Sequence, residues 1–135
     1  MLKRHSVLML LVVSFLFLAY FALRMGNSDY YLRQAIETYT AENNTGALPS
    51  SSRLNSALST IDQSLSWQSS NAKALDYKGY LLSQRWLFQP DSPFFSKSSI
   101  LQSAEALHNK ALVYREDWPY SYISLMELYS HEQAL

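Results

Sequence analysis

Apolar positions along the chain fall into one unbroken block and five periodic stripes. The block is Val7–Leu23 ("VLMLLVVSFLFLAYFAL"), seventeen residues with no charge and with Ser14 as the clearly polar member. After it, residues 28–42 place Leu32, Ala35, Ile36 and Tyr39 at helical spacing. Residues 53–67 carry Leu54, Leu58, Ile61 and Leu65 at offsets of 0, 4, 7 and 11, a one-sided amphipathic helix. Residues 72–88 set Leu75, Gly79, Leu82 and Trp86 on one face, while Tyr77, Leu81 and Phe88 widen it, as expected of a helix held between neighbours. Leu101, Ala104, Leu107, Ala111 and Leu112 mark a helix over 98–114, and a last helix from Pro119 carries Tyr122, Leu125, Met126 and Tyr129. No stretch alternates polar and apolar residues for long enough to make a strand. The pattern predicts an all-α protein.

Breaks between the stripes agree with it. Ser28 or Asp29 suits the cap of the first soluble helix, with Gly26-Asn27 as a joint behind the apolar block. "NNTGALPSSS" (43–52) is a turn-rich loop and "QSSN" (68–71) a short polar turn. The prolines of "QPDSPFFSK" (89–97) must stop a helix. "REDWP" turns the chain, and Pro119 fits a first helical turn. The terminal "SHEQAL" is polar and expected to fray.

At ~1.5 Å per residue the apolar block spans ~26 Å, close to the ~30 Å hydrocarbon core of a bilayer. It ends "AYFALRMGNS", without an Ala-x-Ala cleavage pattern and closed by Arg24. An uncleaved anchor therefore fits better than a cleaved secretory signal, and an apolar surface all round fits a small protein's core helix poorly. Lys3 and Arg4 outnumber Arg24, which places the N-terminus in the cytoplasm and the remainder outside. The expected organisation is an anchor over 1–24, a juxtamembrane helix and linker over 25–52, and a helical domain over 53–135. Nine Lys/Arg stand against eleven Asp/Glu after the block, a net of −2 with no basic run. That removes the electrostatic footprint of a nucleic-acid binder. Absence of cysteine excludes disulfide staples.

The chain also repeats itself. "ALSTIDQSLSWQSSNAKAL" (57–75) lies over "AEALHNKALVYREDWPYSY" (104–122), so that Ala57 meets Ala104, Leu65 meets Leu112 and Trp67 meets Tyr114, 47 residues apart. Each block is the second helix of one pair, a turn, and the first helix of the next. Ala57, Ala104 and Gly79 allow close helix approach, and Gly79 costs ~1 kcal/mol inside a helix unless packing requires it. The spacing resembles tetratricopeptide (TPR) repeats: Ala57, Ile61 and Leu65 in one block, Ala104, Ala111 and Leu112 in the other, and Gly79 in the following helix. The period of 47 exceeds the usual 34 or so, and His108 occupies a position where a bulky apolar residue is the rule. The blocks supply about one and a half units, and the helix after the membrane segment is available to complete the stack.

A short anchor, then "RMGNSDYYLRQA", the two blocks and "REDWPYSYISL" together resemble the VpsP-type polysaccharide biosynthesis proteins of Gram-negative bacteria. Arg115, Trp118 and Pro119 are the most specific part of the likeness, while Glu116 stands where proline is expected. The resemblance implies a small inner-membrane-anchored protein working with exopolysaccharide machinery. It implies a process and no particular reaction.

Candidate chemistry is sparse. His5, His108 and His131 show no paired metal-ligand spacing, so no zinc or transition-metal site is expected. His108 lies at the edge of an apolar stripe and suits a structural role. Three scattered glycines offer no phosphate cradle, and Asp117, beside Glu116, is explained by capping ahead of Pro119. No cofactor and no enzymatic activity are expected. Aromatics are the abundant resource: three Trp, nine Tyr and three Phe outside the block. Trp86 and Trp118 suit core packing, whereas Tyr30, Tyr31, Tyr120 and Phe94-Phe95 suit exposure, Tyr30 and Tyr31 at the membrane surface. Trp67, Tyr77, Tyr114, Trp118, Tyr120 and Tyr122 form the candidate interaction surface. The expectation is a non-enzymatic assembly subunit of a polysaccharide synthesis or export complex. A glycan-binding module stacking sugars on these rings, and a scaffold for an unrelated inner-membrane complex, are the alternatives.

Overall fold

The fold is known from a computed structural model that describes residues 2–41, 50–88 and 97–133. These residues form five α-helices: α1 (Leu2–Thr40), α2 (Ser51–Trp67), α3 (Ala72–Phe88), α4 (Lys97–Tyr114) and α5 (Pro119–Gln133). No strand occurs among the described residues, and the all-α class holds. The loop over 43–52 and the proline-rich segment 89–97, with Phe94-Phe95, lie largely outside the described residues.

The expected joint at Gly26-Asn27 is absent. α1 is one helix of 39 residues that carries the apolar block straight into the folded domain. A Cβ at Gly26 would meet nothing within 4 Å, so the glycine answers no packing demand. Its helix penalty of ~1 kcal/mol is too small to break a helix whose next turns are held by tertiary contacts. Ser28, expected as a cap, is instead a fully buried interior residue. Upstream, mean hydropathy reaches 2.6 with none of that window buried, so α1 is long and apolar enough to cross a membrane.

Beyond the apolar block, α1 and α2 form one antiparallel hairpin and α3 and α4 a second. Leu32, Ala35 and Tyr39 of α1 pack with Leu54, Ala57, Leu58 and Ile61 of α2, and with Ala74 and Leu81 of α3. Leu101 and Ala104 of α4 pack with Leu125 and Leu128 of α5, under Leu82 and Trp86. Ala57 and Ala104 are both fully buried, as close helix approach requires. α3 touches every other helix, which explains its wide apolar face.

The 47-residue register reaches further than the two matched blocks. α1 turns Ser28, Leu32, Ala35 and Tyr39 into its hairpin. The residues 47 later, Leu75, Gly79, Leu82 and Trp86, form the hairpin stripe of α3. The helix that carries the apolar block is thus the first helix of the first pair. The stack holds two complete hairpins and α5, more than the one and a half units expected.

One pair of contacts is exchanged between the copies. Leu32 and Ile61 in the first hairpin become Gly79 and His108 in the second. A Cβ on Gly79 would lie 2.7 Å from His108 Nε2 and 2.8 Å from Cε1, and the ring is fully buried and tied to Asp76 through Nδ1. The glycine exists to admit the histidine.

Opposite outcomes are expected at the two helical glycines. Gly26→Ala should raise stability by up to about 1 kcal/mol. Gly79→Ala should lose about 1–2 kcal/mol, because overpacking at ~1–3 kcal/mol outweighs the propensity gain. In a His108→Ala background the Gly79→Ala penalty should vanish. Urea unfolding of the four variants checks this, and an unchanged Gly79→Ala penalty in that background would refute the steric account.

Candidate functional site

Two polar clusters and one groove remain after the cores are accounted for. The first cluster is built around Asp76, on the second turn of α3. His108 Nδ1 lies 2.7 Å from Oδ1, Ser121 Oγ donates to the same oxygen at 2.6 Å, and Trp118 Nε1 donates to Oδ2 at 3.3 Å. The carboxylate accepts only, so Nδ1 carries the proton. Burial of Asp76 opposes its ionisation, yet the donors from His108 and Ser121, the charge interaction with His108 and the indole N–H outweigh it. Its carboxyl is held below the ordinary carboxylate range.

Asp76, His108 and Ser121 have the composition of a hydrolase triad but not its relay. In a relay the histidine's second nitrogen takes the hydroxyl proton of the nucleophile. Here Ser121 bonds to the aspartate, while His108 Nε2 is buried without a hydrogen-bond partner against Gly79. The cluster clamps α3, α4 and α5 together.

The second cluster stands beside the apolar block. Ser64 Oγ donates to the Ser28 carbonyl at 2.7 Å, and Asn71 Nδ2 donates to Ser28 Oγ at 2.9 Å and to Asp29 Oδ1 at 3.2 Å. Asn71 Oδ1 also accepts from the Ala74 N–H, capping α3. Arg24 Nε donates to the Trp67 carbonyl at the C-terminus of α2. Asp29 and Asn71 stand 47 residues before Asp76 and Trp118, so a side-chain N–H from the turn reaches a carboxylate at the same place in both copies.

The groove lies between α1, α3 and α5 and encloses about 430 Å³, within the usual range of binding clefts. α1 supplies Leu32 and Ile36, and α3 supplies Lys73, Asp76, Tyr77 and Tyr80. From the α5 side come Trp118, Tyr120, Ile123, Ser124 and Glu127. The register explains the lining: 73, 76, 77 and 80 on α3 recur as 120, 123, 124 and 127 on α5. Tyr80 stands between Tyr39, edge-on with ring centroids 6.0 Å apart, and Tyr77, with centroids 5.8 Å apart. Tyr77 Oη is buried without a hydrogen-bond partner. Burial, with Tyr80 and Tyr39 nearby, pushes this phenol well above the ordinary tyrosine range. Trp118 is sandwiched by Tyr120, 4.9 Å between centroids, and by the Arg115 guanidinium, 4.1 Å from the ring centre.

The six aromatics expected to act together separate into three places. Tyr77, Trp118 and Tyr120 line the groove. Trp67 and Tyr114 are half-exposed residues that end α2 and α4, away from it. Tyr122 lies on another face of α5, its hydroxyl donating to the Glu116 carbonyl at 3.0 Å. Tyr80, Ile36 and Ile123 also line the groove, and the extended 47-residue register points to Tyr80 and Ile123, the counterparts of Glu127 and Asp76. Trp86 is partly buried as expected, Tyr30 and Tyr120 are exposed, and Tyr31 is half-buried rather than exposed. Asp117 forms a loose ion pair with Arg115 at 4.0 Å, in place of the expected cap. Among the described residues no group of three His, Cys, Asp or Glu is arranged to hold a metal ion.

Acid should unlock the Asp76 cluster. A carboxyl with a depressed folded-state pKa contributes stability fully above its unfolded value of about 3.9 and loses it as pH falls through the folded value. Urea midpoints should therefore drop as pH is lowered below about 4, and Asp76→Asn should flatten that drop while costing roughly 2–3 kcal/mol at pH 7. Parallel pH curves for the two proteins would remove Asp76 from the explanation.

Comparison with protein-family models, with curated proteins and with solved structures returns no match to this chain.

Proposed function

We propose that the chain is a non-enzymatic, membrane-tethered binding module whose α1–α3–α5 groove holds an apolar segment of a partner protein. The groove carries the reading. Its walls are largely apolar and aromatic, with Lys73, Asp76 and Glu127 as charged positions, a composition suited to side-chain anchors rather than to a charged small molecule. Tyr77 Oη supplies a buried hydroxyl that a partner's backbone carbonyl would satisfy, removing a cost of ~1–3 kcal/mol. The anchor supports a fixed site on the inner membrane, with the N-terminus cytoplasmic and the helical domain periplasmic. The likeness to VpsP-type proteins supplies the process: assembly of envelope polysaccharide synthesis or export machinery.

A glycan-binding reading draws on one observation, the Trp118–Tyr120 ring pair at the groove's edge. One face of that indole is already covered by Arg115, which favours the peptide reading.

Exposed groove residues allow a clean test. Ile123→Glu and Tyr120→Ala should keep the wild-type helical signal and lose at least ten-fold in recovery of co-purified envelope proteins. An unchanged partner set in both variants would overturn the groove reading. Titration of the host's own polysaccharide should give no heat at millimolar sugar; a saturable signal would transfer the groove to the glycan reading. For the process, an in-frame deletion should lose extracellular polysaccharide and regain it only with the anchored form, and unchanged polymer would remove the chain from that pathway.

A further inference from the structure

Two turns of the helical stack stand level with the end of the apolar block. α1 is one unbroken helix, so the block and the hairpins share a fixed axis. α2 runs back along α1 toward the block and ends at Trp67. Its last carbonyl, that of Trp67, accepts from Arg24 Nε, and Arg24 is the first charged residue after the block. Counting 47 residues on from Leu23, the last of the block, gives Ser70 and then Asp117, one in the α2–α3 turn and one in the α4–α5 turn. The helices that enter these turns end on exposed apolar side chains at matched positions. Trp67 is 40% exposed on α2, and Tyr114, its counterpart on α4, is 51% exposed beside Val113 at 75%. None of the three lines the groove.

We infer that the α2–α3 and α4–α5 turns rest in the interfacial layer of a zwitterionic bilayer, with Trp67, Val113 and Tyr114 bedded at its boundary with hydrocarbon. The inference rests on reading the apolar block as a membrane span. At ~1.5 Å per residue the block covers ~26 Å against a hydrocarbon core of ~30 Å, which brings Arg24 down to the boundary. A guanidinium and a helix-end carbonyl are costly there unless they satisfy each other, and Arg24 and the Trp67 carbonyl do so. Trp and Tyr are the side chains suited to this depth, each with an apolar ring and a polar edge. Charge at this level cancels: Arg24, Lys73 and Arg115 stand against Asp29, Glu116 and Asp117. The surface therefore lacks the excess of cations that draws a protein to anionic lipid, and its contact with the bilayer is insensitive to salt. The groove is a separate surface, so either can fail without the other.

The chain has no cysteine, so single cysteines carry nitroxide probes while every aromatic residue stays in place. The probes are Val12→Cys in the block, Ser69→Cys and Val113→Cys at the two turns, and Ser56→Cys on α2, ~17 Å further from the block at ~1.5 Å per residue. Each full-length variant is reconstituted in phosphatidylcholine vesicles. Power saturation then compares collisions with oxygen, which concentrates in hydrocarbon, and with a nickel chelate confined to water. Val12→Cys should give the highest oxygen-to-nickel ratio. Ser69→Cys and Val113→Cys should stand at least three-fold above Ser56→Cys and hold that ratio in molar salt. A ratio at the turns no higher than at Ser56→Cys, with Val12→Cys deep, overturns the inference alone. A water-like ratio at Val12→Cys overturns the membrane-span reading and the inference with it. Protection of the turns from both reagents would assign them to a protein contact, and loss of the ratio in molar salt to charge adsorption; either overturns the inference.

Discussion

The carboxylate of Asp76 is what the second half of the molecule is built around. A partly buried charge is tolerable only when donors replace the water it has lost. Asp76 takes those donors from three separate places: His108 on α4, Trp118 in the turn, and Ser121 on α5. α3 alone touches every other helix, so a bond to Asp76 fixes each donor against the whole stack. Remove the carboxylate, and the first turn of α5 has only side-chain packing to set its angle. That angle positions Trp118 and Tyr120, one wall of the groove. The equivalent carboxylate one repeat earlier, Asp29, is exposed and accepts from Asn71. There Ser28, Ser64 and Asn71 share the load, and continuity of α1 supplies the rigidity that the second copy draws from its buried histidine.

Much of this architecture was legible in the residues. The stripes place α2, α3, α4 and α5 within a residue or two of their observed bounds, because each stripe is closed by a polar turn or a proline. Gly79 announced a packing reason, and the reason is His108. What pattern alone did not reveal is instructive. A glycine with free space around it, Gly26, looks the same in sequence as a glycine that breaks a helix. Helix continuity there is decided by Ser28 and Arg24 bonding to α2, contacts 36 to 43 residues away in sequence. The Asp76 cluster escaped for the same cause: its members are 32 to 45 residues apart, and neither Asp76 nor Ser121 stands out within its own helix. Aromatic content pointed to a surface, but grouping six rings by residue type joined helix ends, groove and open face. Only the register separates them.

α3, the central helix, has three working faces, each set by a different neighbour. One packs back on the previous pair, one is covered by its own hairpin partner, and one lines the groove. On α3 all three are filled or shaped by neighbours. On α5 the inward face is filled, the groove face is shaped, and on the third the Tyr129 hydroxyl donates to Glu105 of α4 at 2.6 Å. The groove is therefore a product of the register, with 73, 76, 77 and 80 of α3 facing 120, 123, 124 and 127 of α5. The alternative, that α5 drifted from the register and its apolar residues are incidental, fails on the inward and groove faces. Both keep the 47-residue correspondence in position, although Leu125 is buried where Lys78 reaches out to Asp62 and Ile123 is exposed where Asp76 is largely buried.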